Sequence, residues 1–242
     1  MKENPITGGA SGPGYVSFRS EKWVSTAWYD DADGSISVEV EPHSAFVNFL
    51  YRLRQYPIPR LAFLFLNAMS ALGKRGVLII GCLSATMFFF GETSYASSMS
   101  KIGFVLLLGI GLWHVRFRAA PWHAAEHMAF NALERGHGVA VSEIANESRL
   151  QKECGGRFAV PILSASIFSY GISNLTGINQ TIALFAMVEA VLWLDHFGWL
   201  EKVPFILSLS FFLQKWVTTS APSKKHLQTA HDALAGLLAK YS

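Results

Sequence analysis

The N-terminal part of the chain passes through polar, strand-like and helical patterns. Residues 1–14 are rich in Gly, Ser and Pro and predict a flexible N-terminus, either a mobile tail or a backbone loop. Short β-type runs follow in YVSFRS, WVSTAWY and SISVEVEP, and the acidic stretch DDADG at 30–34 separates the last two as a hairpin turn would. Residues 15–42 are therefore predicted to form a small antiparallel sheet.

From His43 the spacing of apolar residues changes to that of a helix. Phe46, Phe49, Leu50 and Leu53 recur at helical intervals until PIPR interrupts the pattern at 57–60. The next stretch, LAFLFLNAMSALGKRG, has the pattern of an amphipathic or interfacial helix that ends at a basic, Gly-rich cap.

Five longer apolar runs follow, with a single Glu among them. They lie at 77–90, 102–115, 158–173, 181–194 and 203–213. Each is shorter than the roughly 20 residues that a helix needs to cross a bilayer, although flanking small residues extend most of them. Taken together, the runs favour a multi-pass membrane helix bundle over the alternative, a soluble all-α protein with an unusually apolar interior.

Composition moves the interpretation further toward a membrane protein. Hydrophobic residues make up 51% of the 242 residues and charged residues only 15%, with a mean hydropathy of +0.29. A net charge of +3 gives no argument for nucleic acid as a partner. The two cysteines, Cys82 and Cys154, argue against a disulfide framework and indicate a reducing compartment. The N-terminus lacks the apolar core of a cleaved signal peptide.

Lysine and arginine set the predicted orientation, because short cytoplasmic loops carry an excess of these residues. Residues 1–76 and 116–157 hold most of them, whereas the loops at 91–101 and 174–180 hold only Lys101. The N-terminus and the segment at 116–157 are therefore predicted to be cytoplasmic. Lys215, Lys224 and Lys225 place the C-terminus on the same side, which requires an even number of crossings, so one of the last apolar runs is expected to be re-entrant.

These patterns divide the chain into six parts and predict a mainly α fold with the sheet as a minor element. The parts are a flexible Gly-rich N-terminus at 1–14, a cytoplasmic β-hairpin with an amphipathic helix at 15–76, a membrane hairpin at 77–115, a cytoplasmic segment with the candidate chemistry at 116–157, membrane helices at 158–217 and a C-terminal amphipathic helix at 218–242. The lipid bilayer of the cell membrane is the predicted partner, and association with further copies of the chain is left open.

The stretch PWHAAEHMAFNALER at 121–135 carries the candidate chemistry. In a helix that begins near Pro121, His123 and His127 lie one turn apart on one face, and Glu134 continues the stripe. HAAEH matches the H-x-x-E-H pattern of inverted zinc peptidases, in which two histidines bind zinc and the glutamate handles a proton of the zinc-bound water. The predicted zinc ligands are His123 and His127 with Glu134 or Cys154 as a third, and the predicted catalytic base is Glu126.

Two features also have simpler interpretations. Both histidines can face headgroups or water where a helix starts near the membrane, with Glu126 only matching the helix dipole. Glu189, inside the apolar run IALFAMVEAVLWLDHF, is either an ionisable group that pairs or serves a transport path, or a side chain that reaches water from a shallow helix.

Four runs in this order, HAAEHMAFNALERG, SRLQKECGGRF, QKWVTTSAP and HLQTAHDAL, resemble the YqhQ-like family, also called domain-of-unknown-function family 1385. Its members are described as multi-pass membrane proteins and predicted metal-dependent enzymes. The resemblance extends upstream to GGA at 8–10, Arg19, DGSI at 33–36 and PIPR at 57–60. It implies that the residues of the main family motif are His123, Glu126, His127, Asn131 and Glu134, and that Cys154 and Gly155 match a later Cys-Gly pair.

Two positions depart from the family pattern. Gln151 stands where the family has a histidine shortly before the cysteine, and Gly14 stands where it has a glutamate in an N-terminal glycine motif. The resulting hypothesis is an integral membrane protein with a cytoplasmic zinc site that hydrolyses an amide or ester. The alternative is a non-enzymatic membrane transporter or oligomeric scaffold with a structural metal or none.

Overall fold

The structure of the chain, a computed structural model, describes residues 6–43, 115–152 and 154–242, together with the single positions 49, 56 and 113. The apolar run predicted at 77–90 lies outside the described residues. So do nearly all of the run at 102–115, the sequence PIPR and the amphipathic helix predicted after it.

A four-stranded antiparallel sheet forms the N-terminal part. Its strands lie side by side in chain order: β1 Ile6–Gly12, β2 Tyr15–Ser20, β3 Trp23–Tyr29 and β4 Ile36–Pro42. Strands β2 to β4 confirm the sheet predicted within 15–42, and the acidic stretch is the turn between β3 and β4. The prediction of a flexible segment at 1–14 is wrong for Ile6–Gly12, because this Gly- and Ser-rich stretch pairs through its backbone with β2.

Six α-helices follow in the described part of the chain. They are α1 Ala120–Glu134, the short α2 Val141–Ile144, α3 Ala159–Thr176, α4 Gln180–His196, α5 Pro204–Leu213 and α6 Lys224–Leu238. A π-helical turn, Val115–Ala119, leads into α1, and a second, Gln214–Thr218, continues α5. A 3₁₀ turn, Gly155–Phe158, leads into α3, and another, Leu200–Lys202, precedes α5. The predicted helix start is confirmed, since α1 begins one residue before Pro121.

Helices α1 and α6 pack together on the sheet and enclose the main core. The core joins Val16 and Phe18 of β2 to Leu234 and Leu237 of α6, all of them fully buried. Small side chains let the helices approach closely. A Cβ atom at Gly236 of α6 would lie only 2.9 Å from the Ser25 hydroxyl, for example. The predicted C-terminal amphipathic helix is therefore present, and it covers the sheet.

Helices α3 and α4 form an antiparallel hairpin with its own small core. Gly177, with φ of 73°, ends α3 and opens the three-residue turn into α4. Among the described residues, one helix, Gly155–Thr176, is long and apolar enough to cross a membrane, and only 18% of its most apolar window is buried. A core helix of a soluble protein can pass the same test of length and composition, so the multi-pass bundle stays a prediction.

Candidate metal centre

Helix α1 holds His123 and His127 on one face, as their spacing predicts. The centroids of the two rings are 4.2 Å apart. His127 is buried, whereas the His123 side chain is 26% exposed. Small neighbours such as Ala124 and Ala125 are fully buried and allow this part of α1 to lie deep in the fold. The two imidazoles therefore face one site that solvent reaches at His123.

Cys154 joins the two histidines from the segment that leads into α3. Its Sγ lies 3.5 Å from Nε2 of His123, and its side chain is buried. One donor atom from each of His123, His127 and Cys154 lies within 4.8 Å of the others. The structure thus places together three of the four residues predicted as ligands, and in the part of the chain that it describes these three form the candidate metal group.

The hydrogen bonds of the imidazoles determine which nitrogens are available to a cation. Nδ1 of His127 lies 2.7 Å from the carbonyl oxygen of Arg149. A carbonyl only accepts, so this Nδ1 must carry the proton, and the lone pair of the neutral ring lies on Nε2. Nδ1 of His123 lies 3.1 Å from Oε2 of Glu126 and 3.2 Å from the Ser11 hydroxyl. Carboxylate and carbonyl partners of this kind orient metal-binding histidines in proteins.

The three donors fit a zinc ion in their chemistry, and the separation between His123 and Cys154 matches a zinc site. Two imidazole nitrogens and a thiolate are ligands that zinc accepts in structural and catalytic sites. Zn–N of about 2.0 Å and Zn–S of about 2.3 Å place neighbouring ligands of a tetrahedron about 3.5 Å apart. The separation of 3.5 Å between His123 Nε2 and Cys154 Sγ equals that edge. The residues therefore fit the metal that the HxxEH pattern predicts.

Strand β1 brings to the site residues that the sequence interpretation did not include. The Ser11 hydroxyl donates to Oε2 of Glu126 at 2.5 Å. A Cβ atom at Gly9 would lie 2.5 Å from Oε1 of the same carboxylate, so only glycine allows β1 to approach this closely. The GGA run is part of the family resemblance, and its pairing with β2 brings it beside α1. Both oxygens of Glu126 thus lie against β1, and orienting His123 is the role that its contacts support.

The loop before Cys154 is held by amide side chains. Nδ2 of Asn131 donates to the carbonyl oxygens of Ser148 and Leu150, at 2.6 and 3.1 Å, and so fixes the chain on both sides of Arg149. Asn131 therefore positions the carbonyl that orients His127.

The two departures from the family pattern have structural positions of their own. The side chain of Gln214 accepts from the backbone N–H of Gln151 and donates to its carbonyl oxygen, both at 2.9 Å. Gly14 lies in the β1–β2 turn with φ of 86°, a backbone conformation that glycine adopts at little cost. In this chain the two positions therefore support the loop and the turn.

Glu134 is not brought to the cluster. It is exposed at the end of α1, and the seven residues that separate it from His127 correspond to about 10 Å along the helix axis. The spacing places Glu134 on the same face of the helix as the histidines, but too far along the axis to bind the same ion. Cys154 is the third donor instead. Glu189, the other group singled out, is half-buried on α4 beside an open groove of about 630 Å³.

The electrostatics of the site favour a thiolate. Burial raises the pKa of the Cys154 thiol, but His123 and His127 outweigh burial through hydrogen bonds and charge, and the pKa falls to about 6. Burial lowers the pKa of His123, but contacts with Cys154 and Glu126 outweigh it and raise the pKa to about 10. With protons rather than a cation at the site, Cys154 and His123 are therefore a thiolate and imidazolium pair. The arrangement can hold a divalent cation, or it can supply an ionised sulfur nucleophile beside an acid.

Comparison with known proteins identifies the family. A family described as "Protein of unknown function (DUF1385)" matches residues 77–240, which is more than half of the chain and includes the whole cluster of His123, His127 and Cys154. No curated protein and no solved structure matches the chain. The chain therefore belongs to the DUF1385 family, as its resemblance to the YqhQ-like proteins implied.

Proposed function

We propose that the chain is an integral membrane protein in which His123, His127 and Cys154 bind a zinc ion for the hydrolysis of an amide or ester. The observation that carries the proposal is the pairing of both Nδ1 atoms, with Glu126 and with the Arg149 carbonyl. This pairing leaves two Nε2 atoms and a buried sulfur for one cation. Such carboxylate and carbonyl contacts are those that orient metal-binding histidines in proteins.

The apolar surface of the α3–α4 hairpin supports the membrane part of the proposal. Leu163, Ile167 and Phe168 of α3 and Ile182 and Phe185 of α4 are each more than half exposed. Monomeric soluble proteins rarely expose contiguous apolar surface of this extent, whereas a bilayer covers it.

The catalytic part of the proposal depends on an open coordination position. Three protein ligands leave a fourth position for water, and zinc lowers the pKa of such a water to about 7 and polarises a carbonyl. In this chain His127 and Cys154 are buried, whereas His123 borders solvent, so a substrate would approach beside His123. The proton-accepting role of Glu126 stays a prediction. Because Oε2 contacts His123 and Ser11 and Oε1 lies against Gly9, that role would require the carboxylate to turn one oxygen away from β1.

Metal analysis tests the proposal directly. We expect detergent-purified protein to hold close to one zinc per chain, His127→Ala to lose it, and the exposed His196→Ala to retain it as a matched control. Protein that stays metal-free after zinc loading would refute the metal centre. Cobalt substitution then tests the open position: an added anion should change the absorption spectrum if the fourth ligand is water. A spectrum that no anion changes would indicate a closed, structural site and would remove the hydrolase part.

A second candidate function is supported by the same residues without a metal. His123 lies between Cys154 and Glu126: its Nε2 is 3.5 Å from Sγ of Cys154, and its Nδ1 is 3.1 Å from Oε2 of Glu126. This is the order of a nucleophile, an acid–base group and an orienting carboxylate. In such an enzyme the thiolate would bond to an acyl carbon, and the leaving amine or alcohol would take the proton of His123. Water would then break the C–S bond and return a proton to the ring. We expect zinc to inhibit this reaction and a chelator to restore it. A zinc hydrolase would instead lose its activity to the chelator and regain it with zinc.

A further inference from the structure

The body formed by the sheet, α1 and α6 lies on one side of any membrane that the chain crosses. Trp122 of α1 and His226 of α6 are in ring contact with centroids 4.4 Å apart, and Lys225 of α6 pairs with Asp31 of the sheet at 2.8 Å. The chain leaves this body after Cys154 and returns at Ser220, whose N–H donates to the carbonyl oxygen of Ala120. The segment between them must therefore cross an even number of times, although it contains three apolar helices.

Helices α3 and α4 have the geometry of a pair of crossings. With 18 and 17 residues they are about 27 and 26 Å long, close to the roughly 30 Å of a hydrocarbon core. A three-residue turn joins them at one end. At the other end Arg157, just before α3, pairs with Asp195 of α4 at 2.8 Å. The exposed apolar side chains lie between these two ends, and the ion pair marks one boundary.

Helix α5 has both of its ends at that same boundary. Before its start, Glu201 lies 3.7 Å from Arg157. At its end, the Gln214 side chain makes two hydrogen bonds with the backbone of Gln151. Residues 151 and 157 both precede α3, so a helix that begins beside one and ends beside the other does not leave this side.

Two adjacent π-helical turns present aromatic and basic side chains beside α5. Phe117 and Arg118 belong to the turn before α1, and Lys215 and Trp216 belong to the turn after α5; the two turns are in contact, and all four side chains are exposed. We call these four residues the interfacial patch. Aromatic rings beside cationic groups fit the headgroup region of a bilayer that contains anionic lipids.

We infer that α3 and α4 cross the bilayer, whereas the segment from Pro204 to Thr218 lies in the plane of its surface with the interfacial patch on anionic headgroups. This inference rests on the membrane part of the proposed function and does not depend on zinc. It identifies α5 as the apolar run that does not cross. Cys154 is three residues from Arg157, at most about 11 Å along the chain, so the candidate metal centre lies at headgroup level.

Depth measurements in vesicles test the inference. An environment-sensitive fluorophore is attached to single cysteines in the full chain, in a background with Cys82 and Cys154 replaced by Ser, reconstituted with phosphatidylcholine and phosphatidylglycerol. We expect labels at Ile167→Cys and Phe185→Cys to be quenched most by lipids brominated deep in the acyl chain. Labels at Phe205→Cys and Phe212→Cys should be quenched most by lipids brominated near the headgroup. The label at Ser142→Cys should be quenched by neither kind of lipid. Deep quenching at 205 and 212, or none at 167 and 185, would overturn the inference.

The lipid charge is tested with the same labels. Quenching by shallow bromines at 212 should increase with the phosphatidylglycerol fraction in the parent chain and change less in the double variant Arg118→Gln, Lys215→Gln. The exposed Lys224→Gln is the matched control, and equal responses in all three chains would overturn the anionic part. Zinc is measured separately in a Cys82→Ser chain that keeps Cys154. If the labels at 205 and 212 are shallow but the protein binds no zinc, the metal centre alone is refuted. If the protein binds zinc but these labels are deep, the in-plane helix alone is refuted.

Discussion

Replacing Gly9 with alanine tests whether β1 positions the metal centre. The added Cβ would lie 2.5 Å from Oε1 of Glu126, against an ordinary contact of about 3.4 Å or more. Since Oε1 belongs to a buried side chain packed on a strand, the carboxylate must move by roughly 1 Å. Gly8→Ala is the matched control, because its Cβ would meet nothing within 4 Å and the same residue is introduced into the same strand.

The displacement reaches the candidate ligands through one contact. Oε2 of Glu126 is 3.1 Å from Nδ1 of His123, and a shift of about 1 Å brings this distance beyond hydrogen-bond range. Loss of a group that orients a metal-binding histidine costs roughly 10- to 100-fold in metal affinity, equivalent to about 1.4 to 2.7 kcal/mol. We therefore expect Gly9→Ala to weaken zinc binding by this factor and Gly8→Ala to leave it within about twofold.

Chelator competition on detergent-purified protein measures the affinity, and circular dichroism verifies that both variants fold. Equal zinc affinity in Gly9→Ala and Gly8→Ala would refute the reasoning, because the close approach of β1 to Glu126 would then have no influence on His123. A loss in both variants would show that the strand tolerates no side chain here, and the contact with Glu126 would not be the cause.

Three further predictions concern the Arg157–Asp195 ion pair, the Cys154 thiol and the loop that Asn131 holds. Arg157→Ala leaves Asp195 without its mostly buried partner, and we expect destabilisation of up to about 3 kcal/mol in thermal unfolding. Lys225→Ala breaks a more exposed pair and should destabilise the protein less. In metal-free protein, ultraviolet thiolate absorbance should show Cys154 ionising with a pKa of about 6, and His123→Ala should raise this pKa. Because the pKa is lower in the folded than in the unfolded chain, the thiolate stabilises the fold at higher pH, and this contribution is lost as the pH falls through about 6. Asn131→Ala leaves two loop carbonyls unpaired and should lower the free energy of unfolding by about 1 to 3 kcal/mol while also weakening zinc binding; unchanged stability would contradict its positioning role.

The elements that could be predicted are those whose side chains carry a pattern. Pro121 and the spacing of the two histidines indicated α1, and the apolar runs after 157 correspond to α3, α4 and α5. Strand β1 could not be predicted in this way, since ITGGASG has little side-chain alternation and its strand is defined by backbone pairing with β2. Such a strand is specified by its neighbour, which a local pattern does not contain.

The part of the site that lies within one helix could be predicted from the sequence. His123 and His127 follow from helical periodicity, whereas Cys154 was predicted only as one of two alternative third ligands and as a match to the family's Cys-Gly pair. Glu134 was misleading because periodicity gives the direction of a side chain and not its distance along the axis. The orienting carbonyl of Arg149 has no sequence signature at all, since every residue has a carbonyl and only the fold selects this one.

The candidate metal centre lies where the sheet and α1, which share the main core, meet the segment that leads into the α3–α4 hairpin. Ser11 comes from the sheet, His123 and His127 come from α1, and Cys154 is directly followed by the turn that leads into the α3–α4 hairpin. A cation bound by these residues stabilises the arrangement by its own binding free energy, because an unfolded or separated chain offers no preformed site. The N–H of Gly156 already donates to Sγ at 3.3 Å, so a shift of the sulfur would reach the first turn of the hairpin. Metal removal should therefore loosen the hairpin from the sheet whether or not the site is catalytic, and only an exchangeable fourth ligand separates a hydrolase from a structural link.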